Sequence, residues 1–199
     1  MDRIHVIESP QQLRALASAA RQEIVDVLSG MGTVTVAELA ATLGRPADAL
    51  YYHLRVLVRA GLVVPVGSNT KLGRHKARFR TVAPELRLRY SAADPGKVRS
   101  ISAIVGSMLR LGIRDFRRTL EGNDARLSGP DRELWALRAT GWLKPQAVQQ
   151  VNKNIQDLRD SVWKPKGEGR LYGITILLTP LDYRRRKAQR APQQKKRRT

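Results

Sequence analysis

The fold of this chain is decided by the stretch 35–80, which reads TVAELAATLGRPADALYYHLRVLVRAGLVVPVGSNTKLGRHKARFR. Thr35 precedes Glu38 by three residues, and this spacing allows a capping box, in which each side chain binds the other residue's backbone N–H. A helix is therefore predicted to begin at Val36. Its apolar residues recur at helical spacing until Gly44, which supplies the left-handed conformation that ends a helix.

A second helix is predicted over 47–60, after the short turn Gly44-Arg45-Pro46. Proline suits the start of a helix because its φ is already helical and the missing N–H would have had no partner there. The apolar residues of this segment share one face: Leu50, Leu54, Leu57 and Val58. The other face carries groups that the major groove of DNA is wide enough to admit: Asp48, Tyr51, Tyr52, Arg55 and Arg59.

A basic β-hairpin follows the second helix. Residues 62–66 and 77–82 have the composition of strands, and 67–73 is rich in the turn formers Gly, Ser and Asn. Two helices joined by a tight turn and followed by a basic hairpin predict a winged helix-turn-helix that binds DNA. The predicted contact residues are Thr35, Arg45, Ala47, Asp48, Ala49, Tyr51, Tyr52 and Arg55, together with Lys71, Arg74, His75, Lys76 and Arg78 of the wing.

Four short motifs allow a comparison with a known family. They are Leu-Ala-x-x-x-Arg-x-x-Ile-x-x-x-Leu at 16–28, Val-Ala-Glu-Leu-Ala at 36–40, Tyr-His-Leu-Arg-Val-Leu at 52–57 and Ala-Gly-Leu-Val at 60–63. In this order they resemble the winged-helix domain of ArsR-type bacterial transcription regulators. The resemblance implies a homodimeric repressor or activator, with repression as the expected sign. Such a protein reads an operator with the helix equivalent to 47–60 and responds to a small-molecule effector.

The chain departs from this family at two points. The residue before Tyr52, often a small hydroxyl residue in the family, is the bulky Tyr51. The metal-sensing members use Cys and His or carboxylate ligands, whereas this chain has no Cys, and its three histidines are dispersed at 5, 53 and 75. We therefore expect neither a metal site nor another cofactor.

The composition favours a polyanionic partner. Lys and Arg number 37 against 17 Asp and Glu, which gives a formal net charge of +20 and a pI near 11.3. The segment 183–199 holds nine of these cations and no acid, and it is predicted to be disordered. Its predicted phosphate contacts are Arg184, Arg185, Arg186, Lys187, Lys195, Lys196, Arg197 and Arg198; the alternative is a merely solubilising end.

Helices are also predicted on both sides of the motif. Ser9-Pro10 is a plausible cap and first turn, and Ser18 opens the next helix. Asp94-Pro95 begins a helix that continues to about residue 121. A heptad started at Val98 meets Gly112 and Asp115 at later seam positions, so a coiled coil is not supported there. By analogy with related regulators, this long helix is the expected dimer contact.

Residues 130–182 are predicted to form a small α+β domain for effector binding or dimerisation, with strands over 134–142 and 171–178 and a helix over 145–163. An aromatic-lined effector pocket and a packed core are the two interpretations of Trp135, Trp142, Trp163, Phe116 and Tyr172. The predicted fold class is therefore α+β, mainly α. Its parts are a winged helix-turn-helix over 1–83, a dimerisation helix over 94–121, the α+β domain over 130–182 and a disordered basic tail over 183–199.

The remaining sequence features disfavour other functional classes. Phosphate-binding loops, nucleophile elbows and acid–base pairs at meaningful spacing are absent, so an enzyme is not expected. The absence of a signal peptide and of a membrane-spanning run predicts a cytoplasmic, nucleoid-associated protein. A sequence-specific transcription regulator is the leading hypothesis. The alternatives are a non-specific protein that coats nucleic acid and an interaction module that has lost DNA binding.

Overall fold

A computed structural model describes residues 3–67, 77–162 and 169–181. Its helices are α1 Pro10–Leu16, α2 Ala19–Met31, α3 Val36–Leu43, α4 Ala47–Arg59, α5 Pro95–Glu121 and α6 Pro145–Val162. Its strands are β1 Ile4–Ile7, β2 Val34–Thr35, β3 Val63–Val66, β4 Arg78–Thr81 and β5 Glu85–Leu88. The predicted α+β class with a predominance of helix is confirmed.

The predicted helix starts agree with the caps in the structure. The Ser9 and Thr35 side chains each form a reciprocal capping box, with Gln12 and Glu38 respectively. Asp94 caps the long helix α5 and accepts hydrogen bonds from two backbone N–H groups of its first turn. Gly44 ends α3 with φ of 61°, in the left-handed region that favours glycine.

A three-stranded antiparallel sheet forms the base of the wing, in the order β2-β4-β3. The hairpin strands β3 and β4 are confirmed, with Val63 opposite Thr81 and Val66 opposite Arg78. The strand β2 was not predicted, because two residues are too few to show an alternating pattern. It joins the start of α3 to β4.

A second, two-stranded sheet joins the N-terminal segment to the segment after the wing. The strands β1 and β5 pair in parallel, with Ile4 opposite Glu85 and Ile7 opposite Leu88. The strand β5 lies a few residues after the wing strand β4. Its partner β1 was not predicted, because a pairing between distant segments leaves no local signal in the sequence.

A single hydrophobic core unites α1 to α4, and α5 packs on α1 and α2. The long helix contributes buried side chains at Ile104 and Leu111. The buried amide of Gln22 donates hydrogen bonds to the backbone carbonyls of Leu16 and Ile104, over 2.7 Å and 3.0 Å. The helix-turn-helix and the long helix are therefore parts of one packed body.

The C-terminal prediction needs correction. The helix α6 is confirmed, but the strands predicted over 134–142 and 171–178 are wrong, since the structure describes both segments and assigns them no strand. Leu171 lies against α2, where a Cβ on Gly30 would be 2.8 Å from the Leu171 Cδ1 atom. A composition rich in β-branched residues fits a half-buried pleated surface, but a strand also needs a hydrogen-bonding neighbour.

Two tryptophans of this region lie at the surface. Trp135 is 66% exposed and Trp142 is 84% exposed, so the packed-core interpretation is wrong for these two side chains, and the effector pocket stays a prediction. Trp163 lies outside the described residues. The Tyr172 hydroxyl donates to the carboxylate of Glu133, which joins the two non-helical segments. The division of the chain into domains stays a prediction.

Candidate nucleic-acid interface

The helix α4 is fixed to the core along one side and open along the other. Its apolar stripe is buried at Leu50, Leu54 and Leu57, as predicted. The residues on its open side are exposed: Asp48, Ala49, Tyr52, Arg55 and Arg59. Because the leucines set its rotation, the helix presents a defined set of polar and aromatic groups to a partner.

The two adjacent tyrosines differ in their surroundings. Tyr52 is 59% exposed, whereas Tyr51 is half-buried and packs against the core. Tyr51 also lines a cavity of about 260 Å³ between α4 and the wing, together with Leu54, Arg55, Val58, Arg59, Pro65 and Phe79. The sequence predicted both tyrosines on the outward face; Tyr52 is exposed there, whereas Tyr51 is partly covered by the core.

The two arginines of α4 are not neutralised by a neighbouring acid. Arg55 and Arg59 are both exposed, and no carboxylate of the described chain forms an ion pair with either side chain. They lie four residues apart, so they occupy neighbouring positions on one helix face. This face can bind phosphate oxygens or donate two hydrogen bonds to a base edge through a guanidinium fork.

The first turn of α4 carries one acidic and two small side chains, Asp48, Ala47 and Ala49. Asp48 is exposed in the first turn of α4, where a carboxylate is stabilised by the positive end of the helix. Ala47 is half-buried and Ala49 is exposed at the same end of the helix. Small side chains here leave the N-terminal turn of α4 open to close approach by a large partner.

The turn before α4 contains an ion pair that the sequence did not predict. The Nη2 atom of Arg45 lies 2.5 Å from Glu23 Oε2, and the Nη2 atom of Arg114 lies 2.6 Å from Glu23 Oε1. The Glu23 side chain is only 15% exposed. One carboxylate of α2 therefore holds both the turn and the long helix, and it neutralises part of the positive charge of Arg45.

Thr35 is engaged by its own capping box. Its backbone N–H and its hydroxyl both donate to Glu38 Oε2, over 2.6 Å and 2.8 Å. The hydrogen bonds from the Thr35 backbone and side chain hold the pKa of the Glu38 carboxyl below its ordinary value. Thr35 can thus donate to a phosphate only by giving up the cap, so its direct part is to position α3.

The described part of the wing carries two arginines, Arg78 and Arg80, both on β4. Arg78 is exposed on β4 and donates to the carbonyl of Thr33 over 3.4 Å. Arg80 donates to the carbonyl of Thr81 over 3.0 Å. The other predicted wing contacts, Lys71, Arg74, His75 and Lys76, lie outside the described residues, as do all the predicted contacts of the tail.

His53 lies half-buried in α4, and its Nδ1 atom is buried without a hydrogen-bond partner among the described residues. Loss of solvent lowers the pKa of His53 below its ordinary value, and the positive charges of Arg21 and Arg45 lower it further. Nothing in the spacing of the sequence indicated this arrangement, because Arg21 belongs to α2 and Arg45 to the turn.

In 3–67, 77–162 and 169–181, no three His, Cys, Asp or Glu side chains are grouped so that they could hold a metal ion. None of the helices in the same ranges combines the length and the apolar character needed to span a bilayer.

Comparison with known families agrees with the geometry. A family described as a helix-turn-helix domain matches residues 16–66, a range that includes α2, α3, α4 and β3. The search of curated proteins returned no match to the chain. The family match supports a winged helix-turn-helix regulator that binds DNA. It does not distinguish the ArsR type from other regulators of this kind.

Proposed function

We propose that this protein is a sequence-specific transcription regulator of the ArsR-like type, and that it acts as a repressor. The observation that carries the proposal is the open face of α4. Arg55 and Arg59 are exposed there without ion-pair partners in the described chain, while the opposite face is locked into the core by Leu50, Leu54 and Leu57. A helix held in this way can enter the major groove as a rigid reader.

The wing and the tail add binding that does not depend on sequence. Arg78 lies on β4 at the base of the wing, and the sequence just before it includes Lys71, Arg74 and Lys76. Cations of this kind bind phosphates and set the register of a protein on the duplex, while base contacts supply the specificity. The proposal therefore divides the work between α4 and the basic segments.

The operator is proposed to be pseudo-palindromic, because a symmetric homodimer presents two copies of α4. Half-sites would then be centred about one helical turn apart, or a multiple of it. The long helix α5 supports a dimer, since it leaves Leu109, Ile113 and Leu120 exposed by 41%, 59% and 46%. A small-molecule effector would act by changing the spacing of the two α4 helices. The proposal places the protein in the cytoplasm, at the nucleoid, without enzymatic activity.

The experiment begins with genomic fragments that bind the purified protein. Affinity for the selected operator and for a scrambled duplex is then measured at physiological salt, and the regulator should prefer the operator by at least about a thousandfold. A ratio near one would instead favour the alternative of a coating protein, for which the net charge of +20 would be sufficient. A single footprint without two-fold repetition would contradict the homodimer.

A further inference from the structure

The helix α6 carries a regular apolar seam. Its apolar side chains alternate at spacings of three and four residues: Val148, Val151, Ile155, Leu158 and Val162. None of the 18 residues of α6 is buried: Leu158 and Val162 are 41% and 44% exposed, and the other three seam residues are half-buried. An average spacing of 3.5 residues is the heptad repeat, in which the seam stays directed at a neighbouring helix along its whole length.

The width of this seam indicates what covers it. The residues between the seam positions are polar or small, including Lys153, Asp157 and Asp160 on the far side. A stripe restricted to the first and fourth positions of a heptad is narrower than the face that a helix packs into a globular core, and it suits a second helix. In α5 the same repeat fails at Gly112 and Asp115.

We propose that α6 pairs with α6 of a second copy of this chain as a parallel two-stranded coiled coil. The inference rests on the homodimer proposed above and adds a contact to it. The first heptad positions are all β-branched, namely Val148, Ile155 and Val162, and the two fourth positions hold Val151 and Leu158. β-branched first positions together with Leu158 at a fourth position favour two parallel strands.

The residues beside the seam fit a second copy without repulsion. In a parallel pair, Arg159 of one chain faces Asn154 of the other, and Asn152 faces Ala147. Arg159 is the only charged residue at these flanking positions, so like charges do not meet. Its charge is already balanced, because its guanidinium lies 3.1 Å from Glu85 Oε1 and 2.8 Å from Asp160 Oδ1.

The length of α6 sets the strength of this contact. Helices of this length are marginally stable alone in water, so two and a half heptads do not make an independent dimer. The bond between Arg159 and Glu85 ties α6 to β5 of its own chain. The α6 seam is therefore proposed as one part of a larger dimer interface, in which other contacts already hold the two protein chains close together.

The absence of cysteine from the chain permits a direct test in the full-length protein. A Val148→Cys variant should form a disulfide-linked dimer on mild oxidation, because each first-position residue of a parallel coiled coil faces its own copy within disulfide range. The matched control is Lys153→Cys, on the outer side of the same helix, which should remain unlinked under the same conditions. Linkage is measured by non-reducing electrophoresis.

Three results would overturn the inference. The first is a protein that sediments as a dimer while Val148→Cys remains unlinked. The second is equal linkage of the seam and control variants. The third is linkage only when Val148→Cys is mixed with Leu158→Cys, because an antiparallel pair brings a first position opposite a fourth position of the partner.

A second measurement separates this inference from the proposed function. Ile155→Asp should raise the dimer dissociation constant by roughly tenfold or more, because a seam carboxylate would lose water without gaining a partner. Gln156→Asp, on the outer side, should not, and circular dichroism shows whether both variants keep their helices. An Ile155→Asp protein that is folded and fully dimeric would contradict the seam. A Val148→Cys protein that still forms the linked dimer but shows no operator preference, even when reduced, would contradict only the proposed function.

Discussion

Glu23 of α2 holds Arg45 at the turn before α4, with 2.5 Å between Glu23 Oε2 and Arg45 Nη2. The same carboxylate binds Arg114 of α5 through its other oxygen. An ion pair with a carboxylate this well covered is costly to break from one side, because the partner that remains is left partly desolvated. The start of the proposed reading helix is therefore coupled to the long helix through one side chain.

Glu23→Gln should have two effects. The free energy of unfolding should fall by about 1–3 kcal/mol, because two arginines lose their shared anion. Arg45 also becomes free to bind phosphate, so the salt dependence of binding to random duplex should steepen by about 0.9 in log affinity against log salt. Denaturant unfolding measures the change in stability, and salt titrations measure the change in DNA binding.

Glu8→Gln is the control, because the ion pair between Glu8 and Arg89 is largely exposed and should be worth less than about 1 kcal/mol. Equal destabilisation by both variants would contradict a special part for Glu23.

Arg55→Ala should weaken operator binding by about 1–3 kcal/mol and change affinity for random duplex very little, since base-edge contacts carry specificity. Arg74→Ala and Lys76→Ala of the wing should instead weaken binding to both duplexes by similar factors. Titration of each variant against operator and scrambled DNA measures the difference. If α4 and wing variants lose affinity in the same pattern, the assignment of the reading face is wrong.

The two tyrosines of α4 should respond differently to truncation. Tyr51→Ala should lower the free energy of unfolding by about 2–4 kcal/mol, because its half-buried ring packs on the core. Tyr52→Ala should lower it by less than about 1 kcal/mol, since that ring is 59% exposed. Both variants should weaken operator binding, but only the Tyr52 variant should do so at nearly unchanged stability. Similar unfolding midpoints for the two variants would argue against the observed packing.

His53 predicts the sign of one pH effect. Because the pKa of His53 is lowered in the folded state, the unfolded chain binds its proton more readily. The stability contributed by neutral His53 should be fully present above the ordinary value of 6.5 and should be lost as the pH falls below it, toward the lowered folded-state pKa. His53→Gln should remove this part of the slope below the ordinary value of 6.5. The free energy of unfolding is measured against pH for the unchanged protein and for His53→Gln. Equal slopes for the two proteins would refute the prediction.

Removal of 184–199 should flatten the salt dependence of DNA binding. Nine cations lie in this segment, and engagement of about half of them would change the slope by about 4 per chain at about 0.9 per phosphate. Specific and random duplexes should lose affinity by similar factors, since phosphate contacts carry no sequence information. Parallel salt slopes for the full-length and shortened proteins would show that the tail does not touch the DNA.

Local signals in the sequence determined the helix-turn-helix. The capping box of Thr35 and Glu38, the left-handed Gly44 and the leucines of α4 each act within a few residues, so their effect is readable from spacing alone. The strands of the wing and the start of α5 at Asp94 were predictable for the same reason. These features also placed Arg55 on the open face of α4 before any tertiary contact was considered.

Tertiary structure alone decided the relationships between distant segments. The pairing of β1 with β5, the shared carboxylate of Glu23 and the half-burial of Tyr51 all depend on neighbours that lie far away in the sequence. The strand prediction for 171–178 failed for the same reason. Apolar and β-branched residues favour a buried position, but a strand also needs a neighbouring strand with which to form hydrogen bonds. Spacing determines which face of an element is apolar, and only the folded chain determines what lies against that face.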